Sequence, residues 1–335
     1  MTGSSIRWVL GTMAVVVTAV VLVLATGGDS EGDADAAPGE RWLTALVDPN
    51  APYLPILANA EFAAGPNRVS FTVTDQRGLS VGDLLVSVTL FDLRSLTPEQ
   101  SPVAVTTVAA EFIDYAGVTP VPGAHTHAEG SSVSDGAHFV GVGVYVAQIE
   151  LPAAGLWGLE FLIDDGAGDV QEVLFRLEAR AESAAPNLGD AAIGLRTPTL
   201  ADTPIERLTS DGAPEPGLYQ WSLDEALARP RPLLLIFSTP GYCHSRTCGP
   251  SLEVVKAVWR EHVRSVDALH IEVFANPDEP EDLREAAAFD AWSLPSEPWI
   301  FVIDRAGRIF SRYEGTITAA ELQRDVAAVL EAEGS

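Results

Sequence analysis

Hydrophobic and polar positions follow two regimes along the chain. From about residue 55 to residue 181, short runs alternate with period two: Arg68 to Thr74 (RVSFTVT), Leu84 to Phe91 (LLVSVTLF), Val103 to Ile113, Gly143 to Leu151 (GVYVAQIEL), Gly155 to Ile163 (GLWGLEFLI) and Val170 to Ala179. Successive strand residues point to opposite faces, so this alternation, punctuated by Gly, Pro and Asp, predicts an all-β antiparallel sandwich. The four residues Leu151 to Ala154 fit a hairpin turn between two such strands. Beyond about residue 218 the alternation stops. Pro232 to Ser238 (PLLLIFS), His270 to Ala275 and Pro298 to Ile303 (PWIFVI) read as buried strands, and Arg308 to Tyr313 as a fourth. Between them, Leu223 to Ala228, Pro250 to Val263, Leu283 to Trp292 and Ala319 to Leu330 read as helices, the second with Leu252, Val255, Val258 and Trp259 as its apolar positions. Unalternating strands separated by helices predict an α/β sheet covered on both faces.

The flanks carry a different signal. Trp8 to Ala25 is an apolar run of 18 residues without a charge, preceded by Arg7 and followed by DSEGDAD. As a helix it would extend roughly 27 Å, near the thickness of a hydrocarbon core. Basic residues stay on the cytoplasmic side, so the bulk of the chain is expected outside the cytoplasm. The run ends VLATGG, which fits a small-x-small cleavage site poorly. The expectation is an N-terminal transmembrane helix that anchors a single-pass cell-membrane protein, with a cleaved signal and a secreted or periplasmic product as the competing reading. Residues 27–40 are small and acidic and read as a tether. Residues 182–217, rich in Pro, Ala, Gly and Asp, read as a second linker. The expected division is therefore 1–26 anchor or signal, 27–54 acidic linker, 55–181 sandwich, 182–217 linker and 218–335 α/β domain.

Composition narrows the function. The 335 residues suit two folded units, and 47 acidic against 20 basic side chains, a formal charge of −27, exclude a nucleic-acid coat. Lys256 is the only lysine. Two cysteines, Cys243 and Cys248, are too few for a disulfide scaffold or a four-thiolate zinc site. There is no internal repeat, no haem-attachment motif, no phosphate-binding Gly loop and no Ser/His/Asp order.

Both cysteines fall in PLLLIFSTPGYCHSRTCGPSLEVVKAVW, between the end of a buried strand and the start of a helix. Pro250 suits a first helical turn, because its missing N–H needs no partner there. Cys248 then stands at the helix N-terminus, where exposed amides and the helix dipole favour a thiolate, and a lowered pKa is expected. Later, SLPSEPWIFVIDRAGRI supplies a proline that opens a strand and a glycine turn into the next.

From Tyr219 to Leu330, this order of elements and these motifs resemble the thioredoxin fold. The resemblance implies a cis-proline facing the cysteine pair, with Pro298 in that position, and a substrate groove to which Gly249 and Pro250 also contribute. The spacing departs from the usual two intervening residues. Either Cys243 attacks from a longer CHSRTC turn, or Cys248 takes the first position of a CGPS tetrad, with Ser251 in the resolving place and Cys243 upstream. The helix-start argument favours the second. The segment GVYVAQIELPAAGLWGLEF further resembles small Ig-like modules found beside membrane-anchored electron-transfer and copper-handling proteins.

The leading expectation is an extracytoplasmic thiol-disulfide oxidoreductase without a cofactor, acting on a protein thiol or disulfide partner, with Cys248 and Cys243 as its catalytic residues. One alternative is a copper-binding assembly factor, because FSTPGYCHSRTCGP also resembles the copper carriers of oxidase assembly. Those add a distant histidine, and no histidine follows His270. Another is a non-enzymatic exported protein with a structural disulfide. His244, beside Cys243, could tune or ligate the thiols. His125, His127 and His138 could together hold Cu(II) or Zn(II), although their Gly/Ser-rich surroundings suit a solvated loop better. His262 and His270 fall in a helix and a strand and read as structural.

Overall fold

The computed structural model describes residues 37–44, 48, 51–82, 84–114, 143–168, 170–243 and 247–332. The apolar run Trp8 to Ala25 lies outside them. Among the described residues no helix is long and apolar enough to cross a membrane.

Among the described residues the N-terminal unit begins with helix α1 (Pro38–Thr44) and has nine strands: β1 (Tyr53–Leu57), β2 (Phe62–Ala63), β3 (Gly65–Asp75), β4 (Leu85–Asp92), β5 (Val103–Ala109), β6 (Glu111–Asp114), β7 (Gly143–Leu151), β8 (Gly155–Asp164) and β9 (Val170–Arg180). They form two sheets, ordered β1-β3-β7-β6 and β2-β9-β8-β4-β5. One core joins the sheets: Val69, Phe71, Val73, Tyr145 and Ile149 of the first share it with Val88, Leu90, Leu159, Phe161 and Ile163 of the second. Period-two alternation produces this arrangement, since in β8 Trp157, Leu159, Phe161 and Ile163 are all fully buried.

Three expectations for this unit are corrected. Leu151 to Ala154 does not close a hairpin, because β7 pairs with β3 and β6 while β8 pairs with β9 and β4. Alternation reports that one face is buried but not which strand is the neighbour, and this connection crosses between the sheets, turning at Gly155 with φ +121°. Likewise the run Val103 to Ile113 breaks at Ala110, so that β5 joins β4 in one sheet and β6 joins β7 in the other. The expected acidic linker is shorter than 27–54. Trp42 of α1 is buried against Phe91, with ring centroids 4.8 Å apart, and over Gly158, where a Cβ would lie 2.3 Å from the indole. Strand β1 carries Pro55, which is tolerated because β1 is an edge strand.

The C-terminal unit contains α2 (Leu223–Leu227), β10 (Leu233–Ser238), α3 (Cys248–His262), β11 (Asp267–Glu272), α4 (Ala287–Ala291), β12 (Trp299–Ile303), β13 (Ile309–Glu314) and α5 (Ala319–Ala332). Its sheet runs β11-β10-β12-β13, with β10 parallel to β11 and the other pairs antiparallel. On one face Leu234, Ile236, Ile300 and Val302 meet Leu252, Val255 and Val258 of α3 and Leu322, Val326 and Val329 of α5. On the other, Leu235, Phe237 and Phe301 meet Leu223, Phe289 and Trp292. Both faces are covered, as the unalternating strands require. The helix expected from Leu283 begins only at Ala287, because Glu285 bridges to Phe274 instead.

Residues 182–217 are not a free linker. Gly189 and Ala192 donate backbone hydrogen bonds to Ile309 and Gly307, and Ile309 donates to Asp190, so the segment adds a short pairing to the outer edge of β13. Trp292 Nε1 donates to the Ile193 carbonyl at 2.9 Å, and Ala185 and Leu208 enter the two cores. A segment without hydrophobic periodicity can still satisfy the edge of a sheet, and composition does not report that. Polar contacts join the two units. Arg68 makes paired bonds of 3.0 and 3.1 Å to Glu321, and Glu314 accepts from the Ala60 amide at 2.7 Å. Arg312 donates to Ser183 Oγ at 2.7 Å.

Two outcomes follow for stability. Limited proteolysis should leave residues 185–217 intact under conditions that preserve the C-terminal unit, and early cleavage there would contradict the edge pairing. Lys256 is fully buried, pairs with Asp211 and Glu253, and donates to the Ala213 carbonyl at 2.9 Å. Lys256→Ala strands a buried carboxylate and should lower unfolding stability by about 3–5 kcal/mol in urea titration, whereas exposed Arg196→Ala should leave the urea midpoint nearly unchanged.

Candidate functional site

The site forms where β10 ends. All six residues of β10 are buried, and the chain then turns through Thr239, Pro240, Gly241 and Tyr242 to Cys243. Three hydrogen bonds fix this loop. The Tyr242 amide donates to the Thr239 carbonyl at 3.1 Å, the Gly241 amide to Ser210 Oγ at 2.9 Å, and Tyr242 Oη to the Pro277 carbonyl at 2.6 Å. Ser210 in turn donates through Oγ and amide to the buried Glu272 carboxylate, at 2.7 and 2.8 Å. Burial pushes the Glu272 carboxyl above its usual range.

Helix α3 starts at Cys248, with Thr247 before it, and Gly249 and Pro250 occupy its first turn, half-buried. Neither cysteine is in a disulfide, and the Cys248 amide donates to Cys243 Sγ at 3.4 Å. The two sulfurs therefore belong to one site despite the four intervening residues. Pro298 stands at the head of β12, buried, and the Glu297–Pro298 peptide bond is cis, as the resemblance implied. The Pro298 carbonyl accepts from the Gly315 amide at 2.8 Å, which pins this strand entrance.

The expected acidity of Cys248 is corrected. Its side chain is 0% exposed, and burial, followed by the neighbouring Cys243, raises its pKa well above the usual thiol value. A helix terminus contributes roughly 0.3–1 kcal/mol to a nearby charge. Desolvating an ion costs several kcal/mol, so burial wins. Cys243 is only half-buried and is the sulfur more open to a partner.

Glu297 was not singled out by the sequence. Its carboxylate lies within 4.8 Å of both sulfurs, counted between ligand-type atoms. Burial, then Cys243, Glu272 and Glu285, push its carboxyl up to about 7. Among the described residues it has no hydrogen-bond donor and no counter-ion. The signal was present as a glutamate directly before the strand-opening proline that the resemblance set opposite the cysteines. Cys243, Cys248 and Glu297 are also the only group of three potential ligands that the described residues bring together. His125, His127, His138 and His244 lie outside the described residues. His270 is structural, buried between Tyr219 Oη at 2.7 Å and Ser238 Oγ at 2.9 Å, with burial lowering its pKa to about 4. A cleft of about 970 Å³ lies elsewhere, between the two units, and is lined by Asn59, Arg68, Phe112, Arg312 and Glu321 among others.

The strand order, the dithiol at the α3 start and the cis-proline define a thioredoxin-like C-terminal unit. No protein family matches the chain by sequence, and no curated protein does. Among solved structures, one described as a thiol:disulfide interchange protein DsbE from Chlorobium tepidum shares 14% identity with a TM-score of 0.31, over 44% of this chain and 99% of its own. A thioredoxin family protein, also described as a thiol:disulfide interchange protein, from Chlorobium tepidum TLS shares 16% identity with a TM-score of 0.30, over the same 44% and 99%.

The burial difference has a direct readout. With Cys248→Ser, the remaining Cys243 should alkylate readily, whereas with Cys243→Ser the remaining buried Cys248 should react at least ~10-fold more slowly near neutral pH. Timed iodoacetamide labelling with mass detection checks this, and faster labelling of Cys248 would reverse the assignment.

Proposed function

We propose that the C-terminal unit is a thiol-disulfide oxidoreductase acting on protein thiols or disulfides. The observation that carries the reading is the pair of unbridged thiols, one half-buried and one buried, joined through the Cys248 amide at the head of a helix beside a cis-proline. In the reducing direction the Cys243 thiolate attacks one sulfur of a partner disulfide. The partner S–S bond breaks, a Cys243–partner disulfide forms, and the partner's other sulfur leaves as a thiolate. Cys248, deprotonated as it attacks, then bonds to Cys243 Sγ and expels the first partner sulfur. Two electrons and two protons pass to the partner, and Cys243–Cys248 is left oxidised. The reverse sequence oxidises a partner dithiol.

This order of roles follows accessibility, and it replaces the alignment in which Cys248 attacks first. Gly249, Pro250 and Pro298 would line the partner's groove. The Trp8 to Ala25 segment supports placement of the unit outside the cytoplasm on a single-pass anchor, and the sandwich serves as an Ig-like carrier module.

The test is trapping. Cys248→Ser should hold a stable mixed disulfide with a model protein disulfide, Cys243→Ser should not, and the wild type should turn over in a glutathione-poised buffer with a measurable potential. A Cys243–Cys248 bridge that resists excess dithiothreitol in the folded protein, with neither variant trapping, would replace the redox reading with a static staple.

A further inference from the structure

We propose that the reduced site is also a metal site, in which Cys243 Sγ, Cys248 Sγ and the Glu297 carboxylate bind one borderline divalent cation of the zinc class. The proposal rests on geometry independent of the redox reading. Three donors from three segments converge: the loop after β10, the first residue of α3, and the residue before Pro298 at the head of β12. All lie within 4.8 Å of one another. Tetrahedral zinc, with ~2.3 Å bonds to sulfur and ~2.0–2.2 Å to oxygen, sets neighbouring donors roughly 3.6–3.8 Å apart, so side-chain adjustments of about 1 Å suffice.

The donor set selects the ion. Two thiolates exclude magnesium and calcium, which take oxygen ligands. A carboxylate in the third place is a poor partner for Cu(I), which takes soft sulfur and imidazole donors, whereas zinc accepts sulfur and oxygen together. The copper expectation also required a distant histidine, and here that third place is filled by Glu297. The electrostatics point the same way. Glu297 has no cation or donor among the described residues, and Cys243, Glu272 and Glu285 surround it with groups that carry negative charge when ionised. The cations Lys256 and Arg68 are already matched elsewhere, Lys256 by Asp211 and Glu253, and Arg68 by Glu321. The described residues supply three donors, leaving the fourth position to water or an exogenous group.

Binding displaces the two thiol protons and moves no electron. Oxidation to the Cys243–Cys248 disulfide hands two electrons to a partner disulfide, removes two of the three donors and releases the ion. Cation and disulfide are therefore mutually exclusive occupants.

The experiment uses the full chain, reduced with a phosphine and freed of metal. Zn(II) alone should bind at one equivalent and slow alkylation of both cysteines at least 10-fold. Co(II) alone should give tetrahedral d–d bands with a thiolate charge-transfer band. The oxidised chain should show neither. Glu297→Gln should weaken Zn(II) at least 10-fold, and His244→Ala should not. Because Glu297→Gln could fail to fold, X-ray absorption of the zinc-loaded wild type provides a second reading, with two sulfurs and an oxygen shell expected. No stoichiometric binding, equal binding by the oxidised chain, an unchanged affinity in folded Glu297→Gln, or an imidazole in the zinc shell would each overturn the proposal. Zinc binding without disulfide exchange would sink the redox reading alone, and exchange without zinc binding would sink this one alone.

Discussion

Strand β10 is the constraint on which the C-terminal unit depends. It is apolar at every position but the last, buried on both faces, and paired on both edges, to β11 in parallel and β12 in antiparallel register. Its backbone groups are satisfied sideways and its side chains above and below, so the chain can leave only at its ends. At the C-terminal end, Ser238 sits opposite Glu272, where β11 finishes, and Phe237 sits opposite Trp299, where β12 begins. The parallel neighbour thus ends, and the antiparallel neighbour starts, at the same edge. That brings Glu272, the cysteine loop and the Glu297–Pro298 pair to one place although they are far apart in sequence.

What this edge does chemically is decided by competition between two electrostatic effects. A helix start offers amides to an anion, and the Cys248 amide does point at a sulfur, that of Cys243. The Cys248 side chain itself is buried, and solvent loss outweighs the dipole. The outcome is a division of labour between two otherwise identical side chains, one reachable and one withheld. Glu297 adds to the cost of charge here, because its carboxylate has no counter-ion among the described residues and lies beside both sulfurs, so that each added negative charge is more costly.

Much of this was legible from residue pattern. Period two marked the main sandwich strands, and unbroken apolar runs marked β10 and β12 almost to the residue, because each periodicity reports how many faces a strand buries. Pairing was not legible. β7 and β8 look like a hairpin in sequence and lie in different sheets, since alternation is indifferent to which strand supplies the hydrogen bonds. β2, two residues long, is too short to show any period. At the site, the two cysteines and Pro298 stood out because their residue types are rare in such positions. Glu297 did not, as one acidic residue among 47. The raised pKa of Cys248 is not legible either, because sequence gives helix position but not depth of burial.

Residues 182–217 show why composition alone misled about domain organisation. A Pro- and Gly-rich stretch looks like a tether, yet its members hold both sides of the cysteine loop. Ser210 takes the Gly241 amide on the strand side and passes a hydrogen bond to Glu272. One residue on, Asp211 pairs with Lys256, which lies two turns into α3 beyond Cys248. The same few residues therefore set the distance between the loop bearing Cys243 and the helix bearing Cys248. A longer spacing than the usual two-residue turn would leave the two sulfurs free to drift apart, and an external clamp on both supports compensates for it. The segment's upstream part is fastened at Ala191 to Arg308, directly before β13, and β13 ends in Glu314, which accepts from Ala60 of the sandwich. The sandwich is thus in hydrogen-bonded continuity with the segment that carries Ser210 and Asp211.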